Sequence, residues 1–354
     1  MPVHRRPGLD ASRLDGVLSL DLDRGVAGID LAQESFVDAY ALVGLACFIA
    51  SAARDGLPVR VVLPEDPDVR SWLSRMHLGA VIDAFGAWVE GALPRVPERD
   101  RRVTLIELER FDDAHGSDRL ASSVWERLEG GADGEVVNQL FEATGELGLN
   151  VVEHAGSPAG GFVAAQRYKA GMPEERIIVA VGDVGVGIRE SLRPRYGDMT
   201  EGEAIRRAIQ WHVSRIPDEG RGQGLPGVVD DVRGVSPARS DCRCPVALPA
   251  GQVTRENGGG TWHVDAHRPG LVSSRHQARE LTAGLAGDLS DTAVMVDCSA
   301  LQASTPSFVD ELVKAVLVDR RGSRLVIKGA PERTVELARR AAPNRGVADR
   351  LETG

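Results

Sequence analysis

Three polar side chains recur at every fourth position in the segment ELGLNVVEHAG, and they are Glu146, Asn150 and His154. Because a helix turns by roughly 100° per residue, these side chains would share one stripe, opposite an apolar side. A carboxylate and an imidazole can both transfer protons, so the stripe indicates a face that could do chemistry. A solvated helix face, with His154 in a structural role, is the alternative interpretation.

A second motif follows the apolar strand predicted in IIVAVGDVGVGI, which ends at Asp183 and leads into Gly185 and Gly187. A carboxylate at a strand end can accept a hydrogen bond from an exocyclic amine, and glycines let the backbone approach a flat ligand. A tight turn would explain the same residues. The third glycine and the crossover of a dinucleotide-binding fingerprint are missing, and the chain contains no P-loop motif.

A third motif is the glycine alternation in EGRGQGLPGVVDDV, at Gly220, Gly222 and Gly224, directly before a predicted helix. Backbone N–H groups at a helix start, presented by a glycine loop, form an anion site. A flexible loop would have the same composition.

In this order, the three motifs resemble the boxes of the GHKL ATPase superfamily. That superfamily includes histidine-kinase catalytic domains, type II topoisomerase and mismatch-repair ATPases, and anti-sigma-factor serine kinases. The N-box is matched by Glu146, Asn150 and His154, and the resemblance covers roughly residues 100–275. It implies an α+β sandwich of the Bergerat type that binds ATP and Mg²⁺.

The resemblance also implies roles for individual residues. Asn150 would hold the Mg²⁺ that bridges the phosphates, and Asp183 would accept the adenine amino group. Residues 189–219 would form a mobile lid. The remaining nucleotide-binding positions would be the glycines closing around the base and the loop cradling phosphate: Gly185, Gly187, Gly222, Gly224 and Leu225.

Glu146 is the candidate catalytic base in this resemblance, placed to orient a hydroxyl group or a water molecule. Phosphoryl transfer depends mainly on positioning and charge neutralisation, so an amide, a metal ion and one carboxylate can suffice.

The end of the middle segment departs from the family pattern. ENGGGTW and RPGLV both compete for the final glycine-threonine turn, and a Pro-, Arg- and Cys-rich stretch replaces an expected strand. Cys242 and Cys244 precede His263 and His267, which raises zinc binding as a hypothesis. Cys-x-Cys is atypical spacing for zinc, so a loop with incidental cysteines is the alternative.

The tetrapeptide SFVD occurs twice, at 35–38 and 307–310, each time after a predicted strand and before an apolar helix. This imperfect repeat indicates a duplication. Helix capping supplies a physical reason for the repeat. The hydroxyls of Ser35 and Ser307 could accept hydrogen bonds from backbone N–H groups of the first turn, and the acidic residue three positions later could accept one from the serine N–H.

The two flanking segments resemble STAS-like domains, the fold of anti-sigma-factor antagonists. In those antagonists, a GHKL partner phosphorylates a serine at the start of this helix. Ser307 is therefore the candidate phosphoacceptor, although the acceptor position itself aligns with Pro306.

The composition is that of an ordinary water-soluble protein, with 354 residues, 42% hydrophobic residues and a net charge of −10. The negative charge argues against direct nucleic-acid binding. The longest apolar run, 39–53, is shorter than the roughly 18 residues of a membrane span. Four cysteines do not make a disulfide scaffold. We therefore expect a cytoplasmic protein without a membrane segment.

The sequence thus predicts an α/β protein in which a GHKL ATP-binding domain lies between two STAS-like domains. The expected boundaries are a disordered tail at 1–15, followed by 16–98, 99–275 and 285–354. The favoured function is Mg-ATP binding that drives a regulatory switch, with anti-sigma-type serine/threonine kinase activity on a STAS-domain or sigma-factor-like partner. The alternatives are a slow ATPase with nucleotide-gated homodimerisation and a non-catalytic nucleotide-binding scaffold.

Overall fold

The computed structural model describes residues 8–10, 13–21, 25–97, 105–168, 176–210, 213, 225–226, 253–255, 261–265 and 270–354. Helices and strands are mixed, and the sheets are open, which confirms the general α/β class. The chain divides into two compact units. The first comprises Met1–Asp113 with Val151–Gly187, and the second comprises Ala114–Asn150 with Ile188–Gly354.

The first unit contains a four-stranded sheet in the order β1-β2-β3-β4, with only the β1–β2 pair antiparallel. Its helices follow the strands as an α/β alternation predicts. The elements are β1 (Leu18–Asp21), β2 (Val26–Asp30), α1 (Ala39–Arg54), β3 (Val59–Val62), α2 (Pro67–Arg75), α3 (Leu78–Ala84) and β4 (Trp88–Glu90).

A second sheet in the same unit is antiparallel and has the order β5 (Leu105–Phe111), β6 (Gly161–Tyr168) and β7 (Arg176–Asp183). Helix α1 packs against it as well, since the α1 residues Val43 and Cys47 lie directly over Gly182 of β7. Both sheets therefore contribute to one apolar core around α1, which is buried along most of its length.

The second unit begins with two helices, α4 (Ala114–Leu128) and α5 (Gly134–Asn150). Two further helices follow, α6 (Gly187–Tyr196) and α7 (Glu201–Ala208). Residues 99–275, which the sequence predicts to form one domain, thus supply strands to the first unit and helices to the second. The expected division into domains stays a prediction.

The C-terminal part of the second unit contains a five-stranded sheet, β14-β13-β11-β9-β8, in which only β8 is antiparallel to its neighbour. Strands β10 and β12 form a separate, short parallel pair. The elements are β8 (Val253–Arg255), β9 (Thr261–Asp265), β10 (Leu271–Val272), α8 (Arg275–Thr282), β11 (Ala293–Asp297), β12 (Ala303–Ser304), α9 (Pro306–Val313), β13 (Arg324–Lys328), α10 (Glu332–Asn344) and β14 (Leu351–Thr353).

The expected capping by the SFVD serines is wrong at both copies. Helix α1 begins at Ala39, and its cap is Asp38, whose carboxylate accepts from Ala41 N–H at 2.8 Å. Helix α9 begins at Pro306, and its cap is Thr305, which accepts from Phe308 N–H at 3.2 Å. Proline is favoured at the first helical position, so the cap must be the residue before Pro306.

The segment 66–85, whose polar-apolar pattern predicts one helix, forms the two helices α2 and α3. His77 adopts a left-handed conformation, with φ of 61°, between the two helices. Met76 and Leu78 on either side are buried, so packing of both flanks outweighs the cost of this backbone conformation. None of the described helices is long and apolar enough to cross a membrane.

A buried cluster of charges holds the C-terminal helices together. Asp310 of α9 receives two hydrogen bonds from Arg345, both at 2.7 Å, and one from Arg275 at 2.8 Å. The Asp310 and Arg345 side chains are almost fully buried. Removing the carboxylate would take away the acceptor that Arg345 and Arg275 share, although Arg275 also pairs with Glu311 at 3.3 Å.

We therefore predict that Asp310→Asn destabilises the second unit by about 3–5 kcal/mol, the typical cost of removing one partner of a buried ion pair. Chemical denaturation followed by circular dichroism measures this change. Asp319→Asn, at an exposed aspartate 3.8 Å from Lys314, is the control and should change stability by less than about 1 kcal/mol. Equal effects of the two substitutions would contradict the assignment of this cluster as a structural support.

Candidate functional site

Glu146 and Asn150 both lie on α5, one helical turn apart, as the stripe predicts. The regular α-helix ends at Asn150, and residues Val151–Ala155 form a π-helical turn. In a π turn each hydrogen bond spans five residues instead of four. His154 thus lies beyond the regular α-helix, and its place on the face of Glu146 and Asn150 stays a prediction.

Glu146 is 4% exposed and is bound by the first turn of α9. One carboxylate oxygen accepts from the Ser307 backbone N–H at 2.8 Å, and the other accepts from the Ser307 hydroxyl at 2.9 Å. A carboxylate is favourable at a helix N-terminus, because the unpaired N–H groups there carry partial positive charge. The candidate base and the candidate phosphoacceptor are thus in direct contact within the second unit.

Asn150 has a buried amide nitrogen that donates no hydrogen bond to any residue in the described part of the chain. A buried donor without an acceptor costs about 1–3 kcal/mol. The predicted role of Asn150 in holding the metal-phosphate group stays a prediction.

In the first unit, Asp183 closes the turn after β7. Its Oδ1 atom accepts from Gly185 N–H at 2.7 Å, and its other carboxylate oxygen has no hydrogen-bond partner among the described residues. The side chain is half-buried, so this oxygen remains available to an exocyclic amine. Burial raises the pKa of the nearby Cys47 thiol to about 12, and the Asp183 carboxylate contributes a smaller part of that rise.

The turn after β7 is fixed against the residues that follow His154. Val186 N–H donates to the Ala155 carbonyl at 2.8 Å, and Val184 N–H donates to the Ser157 hydroxyl at 3.3 Å. A Cβ atom on Gly185 would collide with the Ala155 carbonyl oxygen. The glycine is therefore required for this close approach, independently of any ligand.

Gly187 has a different requirement, since its φ is +75° and an added Cβ would meet nothing within 4 Å. Glycine is needed here for the left-handed backbone conformation and not for close packing.

His154 lies beside Glu153, with 3.9 Å between Nε2 and the nearer carboxylate oxygen.

Several predicted residues lie outside the described part of the chain. They include Gly220, Gly222 and Gly224 of the loop expected to cradle phosphate, and Cys242, Cys244 and His267 of the zinc hypothesis. Leu225 is described, half-buried, in a short helical turn with Pro226. Among the described residues, no group of three or more His, Cys, Asp or Glu side chains could hold a metal ion.

The predicted residues are divided between the two compact units. Glu146, Asn150 and Ser307 belong to the second, whereas His154, Asp183 and Gly185 belong to the first. A shared nucleotide cavity formed by Asn150 and Asp183 stays a prediction.

Sequence reasoning did not find two other carboxylates of the α4–α5 pair that contact the C-terminal region. Asp118 accepts from the hydroxyls of Ser273 and Ser274, and Glu142 pairs with Arg333. Burial raises the pKa of Asp118, and the two serine hydrogen bonds offset part of that rise. These partners are more than 150 residues apart, and no local spacing signals such pairs.

Comparison of the chain with family models, curated proteins and solved structures finds no match.

The two glycines of the β7 turn allow a matched test. We predict that Gly185→Ala destabilises the first unit by about 2–3 kcal/mol, because the backbone must move away from Ala155. Gly187→Ala should cost about 1–2 kcal/mol, from the left-handed backbone alone. Thermal unfolding of both variants measures the difference, and a Gly185→Ala variant as stable as the wild type would contradict the described turn.

Proposed function

We propose that the chain is an Mg-ATP-binding regulatory protein with anti-sigma-type serine/threonine kinase activity, acting on a hydroxyl at the start of a STAS-like helix. The observation that carries this proposal is the contact of Glu146 with the Ser307 hydroxyl. A carboxylate within hydrogen-bond distance of a serine hydroxyl can accept its proton as the oxygen attacks phosphorus.

The roles of the other residues are those that the family resemblance implies, and their unsatisfied hydrogen-bonding atoms support them. The unpaired amide of Asn150 is one helical turn from Glu146 and would bind the metal-phosphate group. The unpaired oxygen of Asp183 would bind the adenine amino group. Bound Mg²⁺ would supply charge neutralisation to the phosphates. Glu146 orients the hydroxyl, and in the transfer the serine oxygen bonds to the γ-phosphorus while ADP leaves.

A non-catalytic nucleotide-binding scaffold is the second candidate, and the burial of Glu146 favours it. At 4% exposure the carboxylate is held by α9 and is withdrawn from solvent. A protein in this state would bind nucleotide and signal through its α/β domains without turnover.

Calorimetric titration with ATP in the presence of Mg²⁺ tests binding. We predict that Asp183→Ala lowers ATP affinity by about tenfold or more, because a site built to hydrogen-bond a polar group loses that recognition. Asp83→Ala, at an exposed aspartate of α3 outside the predicted site, is the control and should bind ATP as the wild type does. An ATP affinity of the Asp183 variant equal to that of the wild type would contradict the proposal that Asp183 binds the adenine amino group.

Incubation with γ-labelled ATP distinguishes the functions. Label on protein supports the kinase, free phosphate supports an ATPase, and neither product supports the scaffold. Glu146→Gln should lower transfer by about 100-fold or more while ATP binding is retained. Glu135→Gln, at an exposed glutamate of the same helix, is the control. Transfer at the wild-type rate in the Glu146 variant would exclude this residue as the base.

A further inference from the structure

Three carboxylates of the α4–α5 pair bind the beginnings of three different C-terminal helices. We name Asp118, Glu142 and Glu146 the acidic face. Glu146 binds the Ser307 N–H and hydroxyl in the first turn of α9. Its two oxygens are thus both used by one residue of the C-terminal region.

The other two carboxylates bind the neighbouring helix starts. Asp118 accepts from Ser273 and Ser274, at 2.5 and 2.7 Å, and Ser274 is the N-cap of α8. Glu142 receives two hydrogen bonds from Arg333, at 3.2 and 3.0 Å, in the first turn of α10. All three carboxylates are buried.

The topology explains why these helix starts lie together. Strands β10 and β12 are parallel neighbours, and α8 and α9 follow their carboxyl ends directly. The two helix N-termini therefore lie at the same edge, where their partial positive charges add. In open α/β sheets this edge is where ligands bind. Here the acidic face occupies it.

The contact is close as well as charged. A Cβ atom on Gly145 would lie 3.1 Å from the side chains of both Ser273 and Thr305. The Thr305 hydroxyl donates to the Ser273 carbonyl at 2.6 Å, which joins the two loops that face α5. The backbone of α5 at Gly145, next to Glu146, thus packs directly against this edge.

We infer that the C-terminal α/β region, which carries strands β8–β14 and helices α8–α10, is an autoinhibitory cap on the acidic face. It withdraws Glu146 from solvent and holds both of its carboxylate oxygens against Ser307. A protein substrate would therefore reach Glu146 only after the cap dissociates. The conclusion that the cap inhibits phosphoryl transfer rests on the proposed function. The coverage of Glu146 by the cap does not depend on that function.

Two substitutions should release the cap without altering the acidic face. Arg333→Glu replaces the partner of Glu142 with a like charge. Ser307→Asp places a carboxylate against Glu146 and mimics part of the charge of a phosphate. The matched controls are Arg340→Glu, at an exposed arginine of α10, and Ser323→Asp, at an exposed serine.

Carboxylate footprinting of the full chain measures the coverage directly. Carbodiimide and glycinamide modify solvent-accessible carboxylates, and mass spectrometry gives the rate at each residue. We expect Glu146 in the wild type to react at least tenfold more slowly than the exposed Glu135. Arg333→Glu and Ser307→Asp should each raise the Glu146 rate by about tenfold or more, and the controls should not.

Two results would overturn the inference. One is modification of wild-type Glu146 at the rate of Glu135, and the other is an unchanged Glu146 rate in both release variants. Amide hydrogen exchange in the same variants shows whether 303–313 opens while the core strand β13 stays protected, which separates release from global unfolding. Absence of ATP binding in the calorimetric titration would contradict the proposed function and would leave the footprinting result standing.

Discussion

The contact between the Glu146 carboxylate and the first turn of α9 is the interaction on which the rest of the account depends. A carboxylate that is 4% exposed must be compensated. The Ser307 N–H and hydroxyl provide that compensation, together with the partial positive charge of the helix start. The same bonds bear on what Glu146 can do chemically, because they place one carboxylate oxygen 2.9 Å from the Ser307 hydroxyl.

The surrounding residues make this contact specific. Pro306 begins α9 and places the cap on Thr305, which leaves the Ser307 side chain free to turn toward α5. Gly145 removes the side chain that would hold the two surfaces apart. The contact therefore depends on Pro306, Gly145 and Glu146 together, although each residue acts only on its immediate neighbours.

The individual helices and strands were largely predictable from the sequence, because periodicity and capping are local properties. The strand before Asp183 and the helix that carries Glu146 and Asn150 lie where the pattern indicates. Where the prediction of a helix boundary or cap was wrong, side-chain packing or a proline determined the observed structure. His77 interrupts a helix without any glycine or proline signal, whereas Pro306 did signal that Ser307 could not be the cap.

The partners of the site residues were not predictable in the same way. Glu146 and Ser307 are separated by 161 positions, and Glu142 and Arg333 by 191. Such pairs depend on which surfaces meet in three dimensions, and one sequence carries no signal for that choice. The family resemblance suggested separate roles for Glu146 and Ser307, but it did not indicate that the two residues contact each other.

A double-mutant cycle on Glu146 and Ser307 tests the central contact most directly. The free energy of unfolding is measured for Glu146→Gln, Ser307→Ala, the double variant and the wild type. A direct hydrogen-bonded pair predicts a coupling free energy of about 0.5–3 kcal/mol. Strict additivity, with each substitution costing the same in either background, would show that the two side chains do not meet in solution and would contradict the account.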